Sequence, residues 1–94
     1  MYIARMIFWE QELGGRYIPP QSGFKPQIKI GAVHTSCFVY SNEGVEIFEL
    51  GKAFMVRIEL MYPDVYGGQL KIGDKIELYE GNKQIGEGEI LDLL

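Results

Sequence analysis

The chain has 94 residues, 47% hydrophobic and 23% charged, with a formal net charge of −4. That length gives one domain at most and excludes a TIM barrel or a two-domain enzyme, while the composition is that of a folded soluble domain and not a disordered one. The negative charge speaks against a generic phosphate-binding protein.

Cys37 is the single cysteine, so it can form neither an internal disulfide nor a multi-cysteine zinc site, and it fits a reducing compartment. At the N-terminus Arg5 interrupts the apolar run, and no basic segment precedes it, so no signal peptide is expected. No stretch approaches the ~18 uncharged apolar residues of a membrane span. The expectation is a cytoplasmic protein, a single domain over residues 1–94, with no membrane partner.

In chain order the pattern is β throughout. Residues 2–9 alternate, with Ile3, Arg5, Ile7 and Trp9 on one face and Tyr2, Ala4, Met6 and Phe8 on the other. Apolar residues on both faces predict a largely buried strand. Gly14-Gly15 breaks it, and residues 16–26, with Pro19, Pro20, Gly23 and Pro26, predict a long ordered loop. Residues 27–33 and 35–40 read as strands, and Gly31 suggests a bulge or close packing in the first. A turn at Ser41-Asn42-Glu43-Gly44 follows. Residues 53–62 form the clearest strand, with Phe54, Val56, Ile58, Leu60 and Tyr62 on one face, and Pro63 ends it. Residues 75–80 alternate, Gly81-Asn82 turns, and residues 84–93 close the pattern. No window keeps a 3.6-residue period over ten residues, so no long helix is predicted. About six such strands must close on themselves or form two sheets to hide their edges. Glycines 31, 86 and 88 inside strands would permit the coiling a small barrel needs.

Catalytic patterns are sparse. His34 is the single histidine; it shares a strand face with Ser36 but not with Cys37. A nucleophile pair usually also needs an orienting acid, and none is adjacent in sequence. The reading is a surface or satisfied His34 and a Cys37 that acts as a small core hydrophobe. Pairs such as Lys75 with Glu77, or Arg57 with Glu59, read as solvated faces. Gly86-Glu87-Gly88 lacks the third glycine of a dinucleotide fingerprint, and no Walker-type loop exists. No catalytic residue, metal or cofactor is expected.

The charge is unevenly placed. Residues 1–42 carry four bases against two acids, a net of +2; residues 43–94 carry five bases against eleven acids, a net of −6. Any anion contact is therefore expected in the loop at 14–29, which combines Arg16, Tyr17, Phe24 and Lys25 on a proline-rich backbone. Arg and Lys could meet phosphates, and the two aromatics offer stacking surface. The alternative is a loop that caps the open end of the barrel, with Phe24 as its plug.

Several segments, in order, carry a family resemblance. They are Glu10-Gln11-Glu12-Leu13-Gly14-Gly15-Arg16, Ser22-Gly23-Phe24-Lys25-Pro26-Gln27, Glu43-Gly44-Val45-Glu46 with Leu50-Gly51, the strand Val56 to Pro63, and Glu80-Gly81-Asn82-Lys83-Gln84-Ile85-Gly86-Glu87-Gly88. Together they resemble the C-terminal β-barrel domain of elongation factor Tu, across nearly all of residues 2–94, with a few extra residues around 65–74. The resemblance implies an all-β fold, a small closed six-stranded antiparallel Greek-key barrel, here without the GTPase domain that accompanies it in the factor. In that family the Gly-Gly-Arg segment contacts the T-stem of aminoacyl-tRNA. Arg16 matches its arginine, Tyr17 stands where a histidine is common, and Lys83 matches a second Gly-Gly-Arg arginine. Gly31-Ala32-Val33 replaces an Arg-Thr-Thr segment, which removes an arginine and two hydroxyls.

The resulting expectation is a non-catalytic binding module for a translation-related protein or a tRNA-like RNA, with Arg16, Tyr17, Phe24, Lys25 and Lys83 as the contact residues and no DNA partner. The alternative is a protein–protein or self-association module that uses Met55, Met61 or Tyr66. A small hydrolase would require His34 and an acid in a concave site.

Overall fold

A computed structural model describes residues 1–10 and 18–94. Six strands form: β1 (Tyr2–Phe8), β2 (Gln27–Ile30), β3 (Val33–Ser41), β4 (Ala53–Leu60), β5 (Lys75–Glu80) and β6 (Lys83–Leu93). They close into one barrel in the order β1-β4-β3-β2-β5-β6, and every neighbouring pair is antiparallel. Strands β2, β3 and β4 are consecutive neighbours, and β1 lies beside β4 after the long first connection, a Greek-key arrangement. The edge problem is solved by closure, not by two packed sheets.

Period two decides what is inside. Phe54, Val56, Ile58 and Leu60 of β4 face the core as the alternation predicts. Strand β1 differs from expectation. Tyr2, Ala4, Met6 and Phe8 are buried, but Arg5 and Ile7 are exposed and Ile3 is half-buried. A barrel has only one interior, so an apolar second face is left on the outer wall.

The position of Gly31 is also corrected. It lies not in a strand but in the two-residue turn Gly31-Ala32, between the paired residues Ile30 and Val33. Its φ of +61° at the first central position suits a tight hairpin with the strand twist. Gly86 does serve close packing: a Cβ there would lie 2.7 Å from the carbonyl oxygen of Ile7. Strand β6 also carries two register shifts, which leave Leu91 and Ile85 as extra residues. Such bulges sharpen the bend and twist a small barrel requires, and Ile85 is fully buried.

Among the described residues helix is confined to α1 (Pro63–Tyr66), opened by a proline that suits a first turn, and a 3-10 turn at Gly67–Gln69. The Tyr2 hydroxyl donates to the Gly67 carbonyl, and buried Leu70 follows, so this segment caps one end of the barrel. Among the described residues no helix is long and apolar enough to cross a membrane.

Candidate binding surface

The opposite end of the barrel holds the described part of the loop that the sequence singles out. Residues Gln21 to Phe24 make a turn closed by the Phe24 N–H on the Gln21 carbonyl, 3.1 Å. Its third residue is Gly23, with φ +95°, a conformation that type II turns require and L side chains resist. Backbone bonds then fasten the segment on both sides. Gly23 N donates to Val39 O at 2.7 Å and Val39 N to Phe24 O at 3.0 Å. Ser22 N donates to Glu46 O at 2.8 Å, Phe48 N to Pro20 O at 2.9 Å, and Cys37 N to Pro26 O at 3.0 Å. The Ser22 hydroxyl accepts from Ser41 N at 2.8 Å.

Phe24 is half-buried and packs against the core. Its ring meets Phe8 edge-on, with centroids 5.5 Å apart, and lies 6.4 Å from Phe48. Phe48 in turn contacts Phe8 and Phe54 at 5.2 and 5.4 Å. Four rings therefore seal this end, and Phe24 does serve as a plug. Offset and edge-on pairs of this kind add about 0.5–1.5 kcal/mol each beyond area burial.

Beside the plug, Lys25 is exposed. Gln27 pairs with Tyr79, and Glu80 pairs with Lys83. The register thus brings the tip of the β5–β6 hairpin, with exposed Lys83, to the same end as Lys25. Arg16 and Tyr17 lie outside the described residues. Gly31-Ala32-Val33 sits at the far end of the barrel, away from Lys25 and Lys83. Acids share the candidate end: Glu10, Glu46 and Glu80 stand near the two lysines' elements, so the described portion is mixed in charge.

The residues considered for catalysis are apart. His34 is exposed, and its ring lies 4.3 Å from the Tyr79 ring. Among the described residues no carboxylate hydrogen-bonds it. Cys37 is fully buried, and burial pushes its thiol up to about 12, far from the thiolate needed for a nucleophile. Among the described residues no three His, Cys, Asp or Glu side chains converge to hold a metal ion.

Sequence reading did not foresee a groove of about 390 Å³ on the outer wall of β1, β6 and β5, bordered by Arg5, Ile7, Lys75, Glu77, Glu87 and Glu89. Its charges are largely paired within the chain. Lys75 Nζ lies 2.7 Å from Glu89 Oε1, and Lys29 Nζ lies 3.9 Å from Glu77 Oε1. The Lys75 hydrogen bond, with its charge, holds the Glu89 carboxyl below its ordinary range. The Tyr79 hydroxyl donates to Glu77 at 2.7 Å, and that bond pushes the phenol's pKa above its ordinary value. The two ion pairs join residues 14 and 48 positions apart, and no local motif signals them.

The residues named for self-association are less available than expected. Met55 and Met61 are half-buried, and Tyr66 packs against the core. No protein-family model matches the chain.

Proposed function

We propose that this barrel is a non-catalytic, cytoplasmic binding module that docks a translation-related protein or RNA partner at the end carrying Phe24, Lys25 and Lys83, with Arg16 and Tyr17 as the further contact residues the sequence names. The observation that carries the reading is the fastened segment 20–26. Its backbone is tied to β3 and to residues 46–48, and Lys25 stands out from it next to the hairpin tip. A recognition loop held in one conformation binds without paying further ordering entropy. The resemblance to the elongation factor Tu barrel supports the translation-related partner, and the closed antiparallel architecture suits that resemblance. The proposal gives no catalytic part to His34, whose exposed ring lies tilted against that of Tyr79.

The test is filter binding of unfractionated tRNA at low salt, with the double variant Lys25→Glu/Lys83→Glu and with Arg16→Ala. Both lysines are exposed, so these changes leave the fold intact, whereas Phe24→Ala would disturb the plug. With about three phosphate contacts, binding should fall with log salt at a slope near −2 to −3 and weaken in each variant. Capture from lysate with and without RNase separates an RNA partner from a protein one. No tRNA binding at low salt, with no captured partner lost in either variant, removes the reading.

A further inference from the structure

The two outer walls of the barrel differ in how they treat charge. On β5, β6 and β2 the side chains satisfy one another, as in Lys75 with Glu89 and Lys29 with Glu77. On β3 and β4, among the described residues, no ion pair joins the outward side chains. There and on neighbouring β1 the outward positions around the middle of β4 are Phe38 and Tyr40, Met55, Arg57 and Glu59, and Ile3, with His34, Ser36, Ala53, Arg5 and Ile7 farther along the same strands. Aromatics, Met and Arg are the residue types enriched at the cores of protein interfaces.

Arg57 is not the solvated charge its sequence context suggests. It is half-buried, with Cζ 4.9 Å from the centre of the Tyr40 ring. Among the described residues its shielded Nε has no hydrogen-bond partner, and no ion pair holds the guanidinium. Glu59, two residues along the same strand face, is exposed and, among the described residues, equally without an ion pair. Successive outward residues on a strand stand roughly 6.6 Å apart, so Arg57 and Glu59 form a fixed dipole along β4 whose ends do not neutralise each other at contact.

We propose that this wall is where a second copy of the chain packs, face to face about a two-fold axis that crosses β4 between residues 57 and 59. Such an axis reverses the strand direction and sets β4 against its counterpart. Arg57 of each copy then meets Glu59 of the other. The register adds a second match. Phe38 pairs with Glu59 and Tyr40 with Arg57 across β3 and β4, so the same axis brings Phe38 of one copy to Tyr40 of the other. An isologous contact needs this kind of self-complementary surface. Two chains of net charge −4 repel at long range, so the pairing depends on the local match and not on general attraction. A closed barrel offers no strand edge, so two copies cannot join by edge pairing. The inference uses residues distinct from those of the tRNA test, so either can fail alone.

Sedimentation velocity over a concentration series tests it on the full chain. Wild type should self-associate. Glu59→Arg, at an exposed position that tolerates substitution, should weaken the dimer at least about tenfold, because two arginines then face each other across the axis. Arg57→Glu should do the same. The exchanged double variant Arg57→Glu/Glu59→Arg restores both opposite-charge contacts and should recover the wild-type constant to within about threefold. A wild-type monomer at about 1 mM, a Glu59→Arg protein that associates like wild type, or a double variant as weak as the singles would each overturn the proposal.

Discussion

Met6 occupies the space that a side chain at position 88 would need. A Cβ on Gly88 would lie 2.2 Å from Met6 Sδ and 2.2 Å from the carbonyl oxygen of Arg5. The thioether could turn aside, but the carbonyl belongs to the β1 backbone, which pairs with β6 along its whole length. Gly88 therefore sets how closely β6 approaches β1, and hence how tightly the barrel closes.

Gly88→Ala should accordingly destabilise the protein by about 3 kcal/mol, at the upper end of overpacking costs. Gly68 is the control. A Cβ there meets nothing within 4 Å, and its φ lies outside the left-handed region. Gly68→Ala should stay within about 0.5 kcal/mol of wild type. Urea midpoints with a common slope measure both. Equal stability of the two variants would show that β6 can move away from β1 freely.

Cys37 gives a probe of barrel opening. Its thiol is fully buried with its ionisation pushed up to about 12, so the reactive thiolate is scarce in the native state at neutral pH. A disulfide reagent at about pH 8 should label the native protein only as fast as the barrel opens, and the unfolded protein at the ordinary rate. Labelling should accelerate in Gly88→Ala. Rapid native labelling, unchanged by that variant, would place the thiol in reach of solvent.

The Lys75–Glu89 contact predicts a pH dependence on the acid side. In the fold the hydrogen bond from Lys75 lowers the Glu89 carboxyl below its ordinary value of 4.5. A depressed carboxyl contributes stability that is full above the unfolded value and is lost as pH falls through the folded one. Urea midpoints measured from about pH 6 down to about pH 3 should fall less steeply in Glu89→Gln than in wild type. The pair is exposed, so the difference should shrink in high salt. Parallel curves for the two proteins would mean the contact does not persist in solution.

Much of the fold is already legible along the chain, and the reason is local. Strict alternation in residues 54–60 assigns the inner face of β4 without any knowledge of its neighbours, since a strand turns each successive side chain to the opposite side. Glycine turns and Pro63 end the strands for similarly local steric reasons. The candidate loop at 14–29 stands out because prolines, aromatics and bases coincide there.

What the chain alone leaves open depends on register between distant strands. Residues 2–9 are apolar on both faces, so only the closure of β1 onto β4 and β6 decides that Ile7 is outside and Phe8 inside. Gly31 became a turn residue because Ile30 and Val33 pair across it. Phe24 became a plug because the fold assembles Phe8, Phe48 and Phe54 beneath it from three separate segments. Arg57, which reads as a solvated charge beside Glu59, is set over Tyr40 by a strand pairing that spans 17 residues. Sequence by itself determined a small antiparallel β protein and the inward side chains of most of its strands, because those follow from backbone period and turn sterics. Tertiary structure alone decided which outward side chains stand together, because cross-strand neighbours are chosen by register, and register is a property of the closed barrel as a whole.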